Sequence, residues 1–193
     1  DRCGYSRTGK VCYQEPIKHI IEEIQILDPY HQYFIDGELL YFDSGHIENF
    51  SKGISLANSK EYTDECYNLT YVIFDILPKE DFNSKIVYGK FEDEYDDCIK
   101  ILRAREVLNP DVLATFYPHL LLARQYTNPD KLRASKDFDK WEGLMVRNGD
   151  RSYEFKRSGN LRKIKQFKDI ELPILDIQEG TGKYKGTLGA IKV

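Results

Sequence analysis

The sequence predicts an α+β fold, a body of mixed strands and helices followed by a separate β-hairpin. Three observations predict it. Apolar residues recur with helical period in some stretches and with strand-like density in others. Gly, Pro, Asn and Asp punctuate these runs at short intervals. After Asp169 the pattern changes to two strand-like runs joined by a Gly/Lys-rich turn, which places a boundary near Lys168.

Taken in order, GYSRTGKVCYQ (4–14) mixes polar and apolar residues around Thr8-Gly9-Lys10 and reads as a β-hairpin. From Pro16 to Leu27, Ile17, Ile20, Ile21, Ile24 and Leu27 form one apolar helical face, with Pro16 tolerated in the first turn. Gln32 to Phe42 reads as a strand carrying a turn at Asp36-Gly37, and the continuous apolar run Tyr71 to Leu77 as a central buried strand. Glu92 to Leu108 is amphipathic and ends at Asn109-Pro110, so it predicts a second helix; its first residues, EDEYDD (92–97), read as solvated. His119 to Tyr126 predicts a strand and Asp130 to Phe138 a helix. Trp141 to Asn148, Tyr153 to Lys156 and Leu161 to Phe167 predict three short strands, separated by turns at Asn148-Gly149-Asp150 and Ser158-Gly159-Asn160. ELPILDIQEG (171–180) and GTLGAIKV (186–193) supply the final pair.

The bulk properties narrow the function classes. A chain of 193 residues can bury one sizeable core with a small module beside it. Its 41% hydrophobic and 31% charged residues describe a soluble globular protein rather than a disordered one. No apolar run approaches the roughly 20 residues that cross a bilayer, so no membrane association is expected. Cys3, Cys12, Cys66 and Cys98 form no CxxC pair, which predicts reduced thiols in a cytosolic protein. His19, His31, His46 and His119 show no ligand spacing and read as structural. The formal net charge is -4, yet Lys140 to Lys168 holds nine basic and three acidic residues, so this one segment is +6 and the remainder -10. An acidic chain with one strongly basic segment is expected to grip a polyanion at a single place.

Five segments set charged residues beside glycine or an aromatic: SRTG (6–9), DGELL (36–40), YVIFDIL (71–77), WEGLMV (141–146) and LRKIKQF (161–167). In order and spacing they resemble the nucleotidyltransferase motifs of the ATP-dependent DNA ligases and of their relatives, the capping enzymes and RNA ligases. The resemblance implies a nucleotidyltransferase (ATP-grasp-like) domain of antiparallel sheets with flanking helices over 1–168, and the start of an OB-fold β-barrel over 169–193. The wording EGLMVRN (142–148) and EGTGKYKGTLGAIKV (179–193) leans toward the DNA ligases.

Such enzymes attack the α-phosphate of a nucleotide with a lysine amine, and so need a nucleophile, a metal and cations around the phosphate. The start Asp1-Arg2-Cys3 resembles the tail of the family's KxDGxR motif, with Arg2 as its arginine and the nucleophilic lysine expected upstream of Asp1. Carried over residue by residue, the resemblance implies that Glu38 reaches the ribose or the metal shell and that Phe74 stacks on the purine. Glu142 becomes the carboxylate for Mg²⁺, with Gly143 permitting close approach of the nucleotide. Lys163 and Lys165 alternate by two, leave one strand face and converge on a phosphate. Arg7 and Arg157 resemble arginines used on the nucleotide or the 5′-phosphate of a nick.

The implied reaction is ligation of nicked double-stranded DNA by a monomer, through lysyl-AMP and DNA-adenylate, with ATP and Mg²⁺, in the cytoplasm of a bacterial cell or phage-infected host. The alternatives are a capping-type guanylyltransferase or RNA ligase, and a non-catalytic nucleic-acid-binding relative.

Overall fold

A computed structural model describes residues 3–6, 8–43, 48–87, 89–90, 117–123, 125–126, 128–134, 141–165 and 170–193. The predicted helix Glu92 to Leu108, with its acidic start, lies outside them, as do Arg2, Arg7, His46 and Cys98.

The opening hairpin is present: Tyr5 pairs with Val11, and the Cys12 N–H donates to the Gly4 carbonyl at 2.9 Å. A 3-10 turn (Glu15–Ile17) leads into α1 (Lys18–Leu27). The apolar face read from the sequence is the buried one. Ile17, Ile20 and Leu27 are no more than 4% exposed, with Ile21 and Ile24 packed beside them. Burying each such side chain contributes roughly 1.5–3 kcal/mol, which offsets the modest helix propensity of isoleucine.

The chain then enters β1 (Tyr33–Tyr41), whose start is held by buried Asp28. Its two carboxylate oxygens accept the backbone N–H groups of Gln32 and Tyr33, each at 3.1 Å. β1 pairs antiparallel with β2 (Leu69–Pro78), and β2 pairs parallel with the short β3 (Leu120–Leu122). The main sheet is therefore mixed, in the order β1-β2-β3, and not wholly antiparallel as expected. Helix α1 packs on this sheet, and Ile73, Ile76, Leu69 and Leu120 complete the core with Cys66 and Tyr41.

Asp36-Gly37 does not turn the chain. The strand runs straight through, and the register shifts there: Asp36 faces Asp75 while Gly37 faces Ile73, leaving Phe74 as an extra residue in a β-bulge. Glycine is required at position 37 because a Cβ would lie 2.4 Å from the Val72 carbonyl oxygen and 2.8 Å from the Tyr71 ring.

Helix α2 (Phe50–Ala57), not anticipated from the sequence, is capped by Asn49, whose side chain accepts from the Lys52 N–H at 3.1 Å. Its Gly53 is buried against Tyr41, bringing the helix close to β1. Two short helices follow, α3 (Lys79–Ser84) and α4 (Pro129–Arg133); the latter is the described part of the helix expected over Asp130 to Phe138.

Two further antiparallel pairs stand apart from the main sheet. β4 (Leu144–Arg147) pairs with β5 (Leu161–Ile164), and β6 (Asp176–Glu179) with β7 (Leu188–Lys192). The strand expected over Tyr153 to Lys156 is absent: these residues form bends in the loop between β4 and β5. Their side chains are committed elsewhere. The Tyr153 hydroxyl donates to Asp36 at 2.8 Å, Phe155 packs edge-on against Phe82, and Glu154 accepts from Ser158 and Asn160. No disulfide links Cys3, Cys12 or Cys66, and no described helix is long and apolar enough to cross a membrane.

Candidate functional site

The β4–β5 hairpin brings three of the predicted residues into contact. Glu142 lies just before β4; Lys163 is within β5 and Lys165 just after it. The Lys163 ammonium stands 2.6 Å, and that of Lys165 2.7 Å, from the same Glu142 oxygen. Alternation by two puts both lysines on one face, as the sequence implied. Hydrogen bonds from Lys163 and then Lys165 hold the Glu142 carboxyl below its ordinary value of 4.5.

Gly143 makes this geometry possible. A Cβ there would lie 2.3 Å from the Ile164 carbonyl oxygen. The close approach that the sequence reading assigned to a nucleotide is made by the backbone of β5.

Glu38 projects from β1 as an exposed side chain opposite Val72. Its neighbourhood is defined by Glu48, a residue the sequence reading missed. Glu48 pairs with Phe42 in a short bridge at the end of β1 and is half-buried. Burial, then the charges of Glu38 and Glu142, push its carboxyl above the ordinary value of 4.5, while Lys163 pulls the other way. Glu38, Glu48, Glu142 and Lys163 thus share one electrostatic environment, although they come from β1, the loop after it and the β4–β5 hairpin. No motif marked Glu48; the only signal was a carboxylate ten residues beyond Glu38 in a short bridging segment.

Phe74 is half-buried, on a bulge at the point where both neighbouring strands leave regular pairing with β2. Its neighbour Asp75 is 1% exposed and forms a two-pronged ion pair with Arg147 of β4, both Nη–Oδ distances being 2.8 Å. Arg157 stands exposed in the loop between β4 and β5, outside the Glu142 cluster. His19 and His119 are buried in the core beside α1, as their structural reading required.

Mg²⁺ is tested by the donor set. The carboxylates Glu38, Glu48 and Glu142 supply the hard oxygen ligands such an ion takes, and their mutual repulsion at Glu48 is the kind a divalent cation relieves. No group of three acidic, His or Cys side chains among the described residues is close enough to cage a metal. This fits an ion that keeps its waters and binds through one or two carboxylates plus a phosphate. A shallow groove in the β6–β7 hairpin, lined by Gln178, Thr181, Tyr184 and Leu188, contains none of the predicted site residues.

A mixed sheet carrying helices, with a lysine–glutamate hairpin beside it, is a fold this chain shares with solved DNA ligase structures. Two of them, Pmar-Lig_Pre and Pmar-Lig_PreS3, align over 97% of this chain with TM-scores of 0.70 and 0.68 at 23% and 24% identity. The ATP-dependent DNA ligase of bacteriophage T7, in complex with ATP, aligns with a TM-score of 0.57 at 18% identity, again over 97% of this chain. This chain spans 42–43% of the two Pmar-Lig chains and 66% of the T7 chain. No protein-family model and no curated protein sequence matches it.

Proposed function

We propose that this chain carries the nucleotide-handling site of an ATP-dependent DNA ligase, with the domain division near Lys168 read from the sequence. The observation that carries the reading is the contact of Glu142 with both Lys163 and Lys165, in the same environment as Glu38 and Glu48.

In that arrangement a carboxylate and two ammonium groups neutralise one another until a nucleotide arrives. An incoming α-phosphate competes for the lysines, which rotate from Glu142 onto its equatorial oxygens. Their charge then offsets the negative charge that develops as the phosphorus changes partners. Release of the lysines frees Glu142, and with Glu38 it would hold Mg²⁺, which when bound polarises the phosphate oxygens. Phe74 offers a flat apolar ring to the base. A lysine amine attacks the α-phosphorus, the bond to the bridging oxygen breaks, and pyrophosphate leaves with AMP joined to nitrogen. AMP then passes to the 5′-phosphate of a nick in duplex DNA, and the 3′-hydroxyl displaces it. The neighbour from phage T7 was solved with ATP, and another is described in terms of DNA binding by Lig E DNA ligases with a minimal scaffold; both support the nucleotide and the polymer named here.

The test is labelling of the full-length protein with radioactive ATP or GTP, followed by acid precipitation. ATP is expected to leave a covalent adduct that nicked DNA chases off. Labelling by GTP alone would redirect the assignment to a capping-type guanylyltransferase, and no labelling by either would leave a non-catalytic nucleic-acid-binding relative.

A further inference from the structure

We propose that Arg147 is a positioning residue: its ion pair with Asp75 anchors the β4–β5 hairpin so that Glu142, Lys163 and Lys165 face the strand edge bearing Glu38 and Phe74. The role in nucleotidyl transfer rests on the function proposed above, whereas the anchoring of the hairpin does not.

The hairpin needs an anchor. β4 and β5 form a sheet of their own, and most of their residues are at least partly exposed. An isolated two-stranded hairpin is marginally stable in water. The contact that ties it to the main sheet is polar and directional. Arg147 Nη1 donates to Asp75 Oδ1 and Nη2 to Oδ2, each at 2.8 Å, with side-chain exposures of 18% and 2%. A planar fork on a carboxylate fixes orientation as well as distance, which a single ammonium cannot do.

The loop after β4 adds a second grip. The guanidinium carbon of Arg147 sits 5.8 Å from the centre of the Tyr153 ring, and the Tyr153 hydroxyl donates to Asp36 at 2.8 Å. Asp36 and Asp75 are cross-strand partners, so hairpin and loop together hold two carboxylates facing each other on β1 and β2. Like charges placed opposite one another destabilise a sheet unless something lies between them. Burial, and secondarily Asp75, raise the Asp36 carboxyl above its ordinary value, with Tyr153 and Arg147 acting against this. The points gripped are also the informative ones: Asp75 follows Phe74, and Asp36 precedes Glu38 by two residues.

Arg147 ends β4 and Glu142 lies just before its start, five residues away. At about 3.3 Å per residue the anchor and the lysine–glutamate cluster are roughly 16 Å apart, so a tilt of about 4° at the anchor moves the cluster by about 1 Å. Misplacement on that scale costs on the order of 10²-fold in rate.

The test is Arg147→Lys in the full-length protein, which keeps the charge and removes the fork. Trp141, the single tryptophan of the sequence, adjoins Glu142 and reports on the hairpin without any ligand. Expected results are unchanged far-UV circular dichroism, greater acrylamide quenching of Trp141, and a kcat for self-adenylation lowered about 30- to 100-fold. KM for ATP should stay within about threefold, because the groups binding the base and ribose are not on the hairpin. A folded variant with wild-type kcat overturns the positioning role even if quenching changes; wild-type quenching overturns the anchor. If the wild type itself takes no label, the nucleotidyl-transfer reading fails, and quenching still decides the anchor. Should Arg147→Lys not fold, Tyr153→Phe replaces it, with smaller changes of the same kind expected and wild-type behaviour in both measurements overturning the proposal.

Discussion

Glu142→Gln separates what the lysine–glutamate cluster does for stability from what it does for chemistry. The Glu142 side chain is 34% exposed, and its partners Lys163 and Lys165 are 34% and 48% exposed. Ion pairs in such positions contribute about 0.2–1 kcal/mol each, and glutamine retains a carbonyl oxygen to accept one lysine N–H. The net loss should therefore stay near or below about 1 kcal/mol, a shift of about 2–4 °C in Tm for a chain of this size. Below that ceiling, the sign with pH is fixed. The Glu142 carboxyl lies under its ordinary value of 4.5 in the folded state, so its contribution is present above that value and fades as pH falls through the folded one. Catalysis should respond far more strongly, because a carboxamide cannot hold a divalent cation against phosphate charge; losses of about 10²-fold or more in adenylation are expected from removing one such electrostatic group. Thermal melting at pH 7 and pH 4, paired with single-turnover labelling by ATP, measures both. A variant that melts like the wild type and labels at the wild-type rate would refute the site; one that loses more than 10 °C would show the cluster to be structural.

Asp75→Ala leaves the Arg147 guanidinium without its buried carboxylate, and a loss of about 3–5 kcal/mol is expected by urea denaturation; a loss under 1 kcal/mol would mean the pair is not formed in solution. Gly37→Ala should prevent stable folding, since its Cβ meets backbone at 2.4 Å, whereas Gly9→Ala, with nothing within 4 Å but a φ of +78°, should cost only about 1 kcal/mol. Comparing the two melting curves checks that. Burial holds the His19 imidazole below its ordinary value of 6.5, with His119 and Lys18 adding to the effect and the Leu69 carbonyl and Glu22 opposing it. Protons then bind the unfolded chain first, so stability should fall as pH drops below about 6.5. His19→Gln should flatten that dependence in urea titrations between pH 7.5 and 5; an unchanged slope would assign it to other groups.

How much of this was legible depended on whether a residue's partner lay nearby in sequence. The buried face of α1 follows from period alone, and Tyr71 to Leu77 from unbroken hydrophobicity, so both were plain. Asp36-Gly37 misled because Asp-Gly is a strong turn signal. Here the glycine answers a steric demand from Tyr71 and Val72, contributed by another strand. Tyr153-Glu154-Phe155 alternates like a strand, yet its side chains serve Asp36, Ser158 and Phe82 instead of a ladder. Helix α2 was missed because it spans eight residues and carries a glycine at its contact with β1. Glu142, Lys163 and Lys165 were found because each sits in a recognisable segment. Arg147 was passed over, although an aspartate inside an apolar strand announces a buried charge that must find a cation.

The extra residue in β2 limits how chains with this fold can vary in length. Side chains along a strand alternate between its two sides, so excising Phe74 would restore an unbroken ladder and turn all that follows to the opposite side. Asp75 would then point away from Arg147, and a single codon's deletion would cost the aromatic ring and the clamp together. Insertions tolerated in the surface loops should be rare across this one stretch.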